Sequence, residues 1–313
     1  MTVTDLLRAK KPDNLTISVE ITPPTRGNSI ETMFRIMDDI LPFSPLWIDV
    51  TSHASGVEWI PTQTNHYKKR IFRKSPGTIA ICAALEHKFN IPMVPHLLCH
   101  GFSCEETEDA LIDLGFLGIQ NIMALRGDGS PKEKRADKTY HNHAVDLIDQ
   151  IQHINQGKYL STEGQPTDFE IGVACYPEKH FEAPNLEWDV EYFVAKQNRG
   201  ADYAVTQMFF DNSPFFNFEQ LIADQVHIPI IPATKIVSSS KQLVKLSKFF
   251  HVDFPSQLVN QMMDAKTPLE ASEVGLDWTY QQCLNLIENN HRHLHFYLMK
   301  NTDLFCSLMR RLF

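Results

Sequence analysis

The chain has little cysteine, no long apolar run and no excess of positive charge, and each shortage removes a class of protein. Six cysteines in 313 residues (Cys82, Cys99, Cys104, Cys175, Cys283 and Cys306) do not make a disulfide scaffold, so reduced thiols in a cytoplasmic protein are the simpler expectation. No apolar stretch reaches the roughly 20 residues that span a bilayer. Residues 1–13 carry Asp5, Arg8, Lys10 and Lys11 where a secretory signal requires an apolar run. Lys and Arg number 29 against 38 Asp and Glu, a net charge of −9. A surface this acidic repels phosphate backbones and anionic lipid, so neither nucleic acid nor membrane is an expected partner.

Several chemical signatures are missing as well. No GxGxxG follows the first strand and no GxxxxGK(S/T) occurs, which excludes the usual Rossmann and P-loop phosphate sites. No GxSxG elbow is present, which removes the commonest serine hydrolase. His96, Cys99, His100 and Cys104 lie close in sequence but match no standard zinc spacing, so no metal is expected. There is no tandem repeat, low-complexity tract or composition break.

What is present is an alternation of short apolar runs with longer amphipathic stretches, the pattern of repeated βα units around a parallel sheet. Eight runs read as strands: Leu15–Ile21, Leu46–Thr51, Met93–Leu98, Asn121–Leu125, Glu170–Cys175, Tyr203–Phe209, Ile228–Ile231 and His293–Tyr297. Eight parallel strands close a barrel, and α/β barrels commonly reach about 250 residues or more as one unit. The expected fold is therefore a (β/α)8 barrel forming a single domain over residues 1–313, with residues 1–14 as an N-terminal extension. Helices are expected after Ser29, from Cys104 to about Gly115, after Asn185 with Trp188, Tyr192 and Ala195 on one face, over Ser238–Phe250 and over Leu269–Asn290. The polar segment Glu133–Thr139 reads as an exposed loop.

Chemistry in such a barrel lies at the carboxyl ends of the strands. Nearly every run delivers a polar residue there: Glu20, Thr51, His96, Arg126 with Asp128, Tyr176 with Glu178 and His180, Gln207, and Tyr297. Unpaired polar groups inside strands cost about 1 to 3 kcal/mol each, so this ring implies a ligand or a dense polar network. Glu20 interrupts Ile17, Val19 and Ile21 and precedes Pro23-Pro24. A carboxyl in apolar surroundings has a raised pKa and can donate a proton near neutral pH; a carboxylate paired with a lysine or arginine under the rim explains the same spacing. Arg126-Gly127-Asp128 combines a fork for phosphate, a glycine that permits close backbone approach and an acceptor for N–H donors.

The same residues carry a family resemblance. The ordered set Val19-Glu20-Ile21-Thr22-Pro23-Pro24, Val50-Thr51, Pro95-His96-Leu97, Ala124-Leu125-Arg126-Gly127-Asp128, Tyr176-Pro177-Glu178-Lys179-His180, Gly200-Ala201-Asp202, Thr206-Gln207-Met208-Phe209-Phe210-Asp211 and His295-Phe296-Tyr297 resembles the catalytic barrel of methylenetetrahydrofolate reductases from about residue 15 to 300. Any one motif is weak, whereas eight in order at matching strand ends are specific.

The resemblance implies an FAD-dependent barrel that reduces 5,10-methylenetetrahydrofolate to 5-methyltetrahydrofolate with NADH or NADPH, by a ping-pong exchange on one flavin face. By position Glu20 matches the general acid, Asp128 a carboxylate near the flavin and the folate pterin, and Gln207 a substrate-binding glutamine. Thr51, His96, Arg126, Gly127, Asp128, Ala144, Tyr176, His180, Asp189, Lys196, Ala201 and Tyr297 match FAD positions. Arg126, His180 and Lys196 would neutralise the pyrophosphate and Asp189 would accept from ribose hydroxyls. Relatives of bacterial type suggest a homo-oligomer, and the adenosylmethionine-binding regulatory domain of the eukaryotic enzymes is not expected.

The sequence departs from the family pattern in four places. Glu20-Ile21-Thr22-Pro23-Pro24 lacks the two aromatics usual before the prolines, Pro232-Ala233-Thr234-Lys235-Ile236-Val237 replaces a Pro-Gly with a later Pro, Ser240 stands where an aromatic is usual, and the last motif runs Tyr297-Leu298-Met299-Lys300. A flavoprotein of the same fold with another acceptor or a required partner subunit is thus an alternative reading, as is a non-catalytic barrel subunit. A metal-dependent barrel lyase would follow if the resemblance misleads.

Overall fold

The computed structural model describes residues 1–54, 56–62, 66–72, 75–127, 139–298 and 302–313. The first half contains α1 (Val3–Ala9), β1 (Thr16–Ile21), α2 (Glu31–Ile40), β2 (Ile48–Val50), β3 (Gly56–Pro61), β4 (Tyr67–Phe72), α3 (Thr78–Phe89), β5 (Met93–Leu98), α4 (Cys104–Leu117), β6 (Asn121–Leu125) and α5 (Ala144–Asn155). The second half contains β7 (Glu170–Cys175), α6 (Leu186–Asn198), β8 (Tyr203–Thr206), α7 (Asn212–Ile222), β9 (Ile230–Ile231), β10 (Ala233–Thr234), α8 (Ser240–Phe250), α9 (Ser256–Asp264), α10 (Pro268–Glu288), β11 (His293–Tyr297) and α11 (Asp303–Leu312). No described helix is long and apolar enough to cross a membrane.

Nine parallel strands follow one another in the order β10-β11-β1-β2-β5-β6-β7-β8-β9. The two outer strands flank Pro232, so they are halves of one seventh strand. Proline has no N–H for the ladder. At the break Ala233 N donates to the Thr206 hydroxyl at 2.9 Å and His295 N donates to the Pro232 carbonyl at 3.0 Å. The seventh strand thereby joins β8 on one side and β11 on the other, and the sheet becomes the expected (β/α)8 barrel.

Alternation along the strands builds two cores. Ile17, Val19 and Ile21 of β1 pack with Leu294 and Phe296 of β11 and Ile48 and Val50 of β2 against the helical layer. Inside the barrel, Trp47, Val94, Met123, Tyr203, Val205 and Ile231 form a separate apolar cluster on one side. The other side is polar, because β1, β2, β5 and β11 turn Ser18, Asp49, His96, His293 and His295 inward, all of them buried.

The expected N-terminal extension has a defined place. Val3 joins the interior apolar cluster, its N–H donates to Asn121 Oδ1 at 2.9 Å, and Thr4 donates through both N and Oγ1 to Glu170. Asn121 and Glu170 open β6 and β7, so α1 closes the amino end of the barrel.

Other elements differ from the sequence reading. Gln207 to Phe209 follow β8 instead of extending it. The α4 helix begins as expected, with a Ser103–Glu106 capping box, but runs to Leu117 and ends on Gly118 at φ +74°. The α6 helix has the expected Asn185 cap, yet Trp188 and Tyr192 are exposed and Val190 and Phe193 are buried instead. An antiparallel hairpin, β3–β4, was not legible. Most of its described residues are exposed on both faces, so it carries no one-sided apolar alternation. The expected loop at Glu133–Thr139 lies, except for Thr139, outside the described residues.

Candidate active site

Glu20 is the last inward residue of β1, at the carboxyl mouth of the barrel. Its Oε2 lies 3.7 Å from His96 Nε2, and the same nitrogen lies 3.5 Å from Asp49 Oδ1. These are ion-pair separations, longer than direct hydrogen bonds. Burial lowers the affinity of His96 for a proton, but the neighbouring Asp49 and Glu20 carboxylates outweigh it and raise the imidazole above its ordinary value. Asp49 in turn accepts from Trp47 Nε1 at 2.8 Å.

A polar ladder continues down the barrel from this group. Asp49 Oδ2 is 3.9 Å from His295 Nδ1, which meets Ser18 Oγ at 2.8 Å, and Ser18 Oγ meets His293 Nε2 at 3.1 Å. Burial pushes His295 down to about 4 despite the Asp49 charge, and holds His293 well below the ordinary imidazole value. Both are neutral at physiological pH, which leaves His96 as the imidazole that can carry charge beside Glu20. Asp49 was not singled out from the sequence, although it breaks Leu46-Trp47-Ile48-Asp49-Val50-Thr51 just as Glu20 breaks its own run.

Tyr297 closes the mouth beside Glu20, its register partner. Its hydroxyl donates to the Thr206 carbonyl at 2.7 Å, and burial first, then the Glu20 and Asp49 charges, raise it well above the usual phenol value. Lys235, also missed by the sequence reading, donates to the Tyr297 carbonyl at 3.1 Å from the end of the seventh strand. Thr51 follows β2 at the same rim. Its hydroxyl is buried and has no partner among the described residues, so it is available to a ligand.

A second group gathers on the β6 and β7 side. Arg126 follows β6 and is paired with Glu182, which with burial against it leaves the guanidinium raised above its usual value. Gly127 adopts φ +87°, a conformation that disfavours other residues and turns the chain sharply after the strand. The Tyr176 and His180 rings meet edge to face at 4.7 Å. His180 N donates to Asp189 Oδ2 at 2.9 Å, and Lys196 donates to the Ala174 carbonyl at 2.8 Å with its ammonium 5.7 Å from the Tyr176 ring centre. Burial raises Asp189 and lowers Lys196.

Burial, with Arg126 next, pushes His180 down to about 4. Burial and the neighbouring Arg126, Lys196 and Lys179 cations all oppose charge on this imidazole, whereas an anion placed among them would favour it.

Three further expected positions lie around these two groups. Ala144 is the first residue of α5, whose amino end abuts the rim where Cys99 Sγ donates to the His143 carbonyl at 3.3 Å. Gln207 follows β8 and lines a shallow depression with Tyr176, Glu178 and His251; its Oε1 accepts from Met208 N at 3.0 Å. Ala201 is buried before β8 begins, at the amino end of that strand, and is not brought to the mouth. Asp128 lies outside the described residues.

A parallel barrel whose mouth gathers an acid, an imidazole and a lysine, with Arg126 and Lys196 on its β6 and β7 side, invites comparison with known proteins. Residues 5–312 match the methylenetetrahydrofolate reductase family. The chain belongs to that family. It is 26% identical over 298 residues to methylenetetrahydrofolate reductase 1 of Schizosaccharomyces pombe, covering 94% of this chain but 45% of that one. It is 26% identical over 299 residues to 5,10-methylenetetrahydrofolate reductase of Pectobacterium carotovorum and 29% identical over 294 residues to that of Buchnera aphidicola, covering 89% of each. The chain thus spans less than half of the yeast relative and most of the bacterial ones. A solved structure of an uncharacterized protein from Clostridium thermocellum, described as binding two copies of 5-methyl-5,6,7,8-tetrahydrofolic acid, shares the fold at a TM-score of 0.61 and 14% identity, covering 99% of this chain and 98% of that one.

Proposed function

We propose that this member of the methylenetetrahydrofolate reductase family reduces 5,10-methylenetetrahydrofolate to 5-methyltetrahydrofolate, with FAD as bound cofactor and NADH or NADPH as donor. The observation that carries the reading is Glu20 at the barrel mouth beside His96, inside a family match that spans residues 5–312. Cytoplasmic residence and homo-oligomeric assembly belong to the same reading.

The residues present fit FAD. Arg126 and Lys196 supply positive charge for a pyrophosphate and His180 a further donor. Asp189 can accept from a ribose, and the orphaned Thr51 hydroxyl offers a donor at the rim. Tyr176, Tyr297, Gly127 and the amino end of α5 at Ala144 complete the proposed cradle, with Asp128 expected beside the isoalloxazine. When bound, FAD supplies hydride transfer.

The protein's own part is acid catalysis and positioning. Glu20, protonated, gives its proton to the ring amine nitrogen of the folate, and that nitrogen's bond to the bridging methylene breaks, leaving an iminium carbon able to accept hydride. His96, held by Asp49, fixes the orientation of Glu20, and Gln207 orients the substrate through its amide. Half-buried Tyr297 limits water at the acid. Incubation of the FAD-supplied protein with methylenetetrahydrofolate and NADH or NADPH is expected to yield 5-methyltetrahydrofolate; oxidation of the nicotinamide without that product would overturn the assignment.

A further inference from the structure

Lys235 is a buried cation that the chemistry above leaves unused. It lies just past β10, in the segment that departs from the family pattern, and only 8% of its surface is exposed. Its Nζ donates to the Tyr297 carbonyl at 3.1 Å, while the N–H of the same peptide unit, that of Leu298, donates to the Glu20 carbonyl at 3.0 Å. One peptide group therefore ties Lys235 on one side and Glu20 on the other. The register agrees: Glu20 pairs with Tyr297, and Thr234 with Phe296, so Lys235, Tyr297 and Glu20 lie level across three strands. Two strand spacings are about 10 Å, within the combined reach of a lysine and a glutamate side chain.

The other side of Lys235 is open. It lines a cavity of about 410 Å³ with Gln242, Lys245, Phe249, Phe250 and Leu304, ample for water and small solutes. Burial lowers its ammonium to about 8, even though the Glu20 charge opposes that shift. Among the described residues, the charged and titratable groups around the pair include Asp49 of β2, His96 of β5, Cys175 and Tyr176 at the end of β7, His295 and Tyr297 of β11 and Lys245 of α8.

We propose that Lys235 is a positioning residue that returns a proton to Glu20 between turnovers, carrying it from the cavity to the acid. The inference rests on Glu20 being the proton donor to the folate. In each cycle Glu20 loses its proton to the substrate nitrogen and becomes a carboxylate. The Lys235 ammonium passes a proton to that carboxylate and becomes a neutral amine, which then takes a proton from a buffer acid in the cavity. No electrons move in these steps, and the net uptake is the one proton that the reduction consumes.

Two measurements test it. In apoprotein carrying lysine labelled with 13C at Cε, the resonance absent from Lys235→Arg belongs to Lys235. It is expected to titrate near 8 and at lower pH in Glu20→Gln, because the carboxylate that stabilises the ammonium is gone. Titration in the ordinary lysine range near 10.4, or a value unmoved by Glu20→Gln, would overturn the coupling. In steady-state assays Lys235→Arg and Lys235→Met are both expected to slow folate reduction about 100-fold, the usual scale of a lost proton transfer. Arginine keeps the charge but does not release the proton. Small alkylammonium ions are expected to restore part of the Lys235→Met rate through the cavity. Full activity in Lys235→Arg, or no rescue of Lys235→Met, would reduce Lys235 to a fixed charge. If the parent protein reduces no folate, the proposed function fails, while the titration still decides whether the two groups share protons.

Discussion

His96 and Glu20 meet at 3.7 Å, Nε2 to Oε2, with Asp49 Oδ1 at 3.5 Å from the same nitrogen. One imidazole thus stands between two carboxylates, one of them wholly buried. Removing the ring leaves Asp49 in the barrel without its cationic neighbour, and breaking a buried pair from one side costs about 3 kcal/mol. His96→Asn is expected to lower stability by that order. Because the native imidazole is raised, the stabilisation is fully present below its unfolded value and is lost as pH rises through its folded one. Denaturant melts at mildly acidic and at alkaline pH check this. A deficit that grows with pH would contradict it.

Glu20→Gln is isosteric and keeps the backbone bonds at the mouth. It is expected to leave FAD binding and NAD(P)H oxidation by an artificial acceptor nearly intact while reducing folate turnover by a factor of at least about 100. Equal loss in both half-reactions would remove Glu20 from the acid role.

Glu178 carries a prediction about pH and stability. Its Oε2 accepts from Asp253 N at 3.0 Å, tying the loop after β7 to the α8–α9 connection. Burial first, with Asp253 and Asp211 adding repulsion, raises it to about 7 in spite of that bond. A carboxyl raised in the folded state is favourable when protonated. Its contribution is therefore present at and below the ordinary carboxylate range and is lost as pH rises to about 7. Glu178→Gln is expected to flatten that part of the stability profile, measured by thermal melting from pH 4 to 8. A variant profile parallel to the parent's would rule this out.

Gly275 sits inside α10 where the helix lies on the strand 7 segment. A Cβ there would fall 1.6 Å from the Val237 carbonyl oxygen, against backbone that no side-chain rotation can relieve. Gly275→Ala is expected to destabilise by about 3 kcal/mol although alanine favours helices. A melting point equal to or above that of the parent would mean that α10 is free to shift.

The barrel was legible because its strands are short apolar runs and their carboxyl ends carry polar residues. Ile17, Val19 and Ile21 pack outward, which made Glu20 conspicuous between them. Asp49 gave the same signal, but Trp47 and Ile48 before it read as a plain buried strand. Lys235 was hidden differently. It follows a strand broken at Pro232, so its level with Glu20 and Tyr297 comes from pairing across the sheet rather than from spacing along the chain. The low proton affinity of the His180 ring in the ligand-free protein was equally out of reach, since burial and Arg126 set it through contacts between separate loops. Ala201 shows the converse: a motif position can match while the fold leaves it at the far end of a strand.

The most direct test of the account is the visible spectrum of the FAD-loaded protein under anaerobic titration, first with NADH or NADPH and then with methylenetetrahydrofolate. The account predicts a flavin band that bleaches with a nicotinamide and returns on addition of the folate. A band that bleaches and stays bleached would assign the electrons to another acceptor, and a protein that retains no flavin would contradict the assignment of Arg126, Lys196 and Thr51 to its cradle.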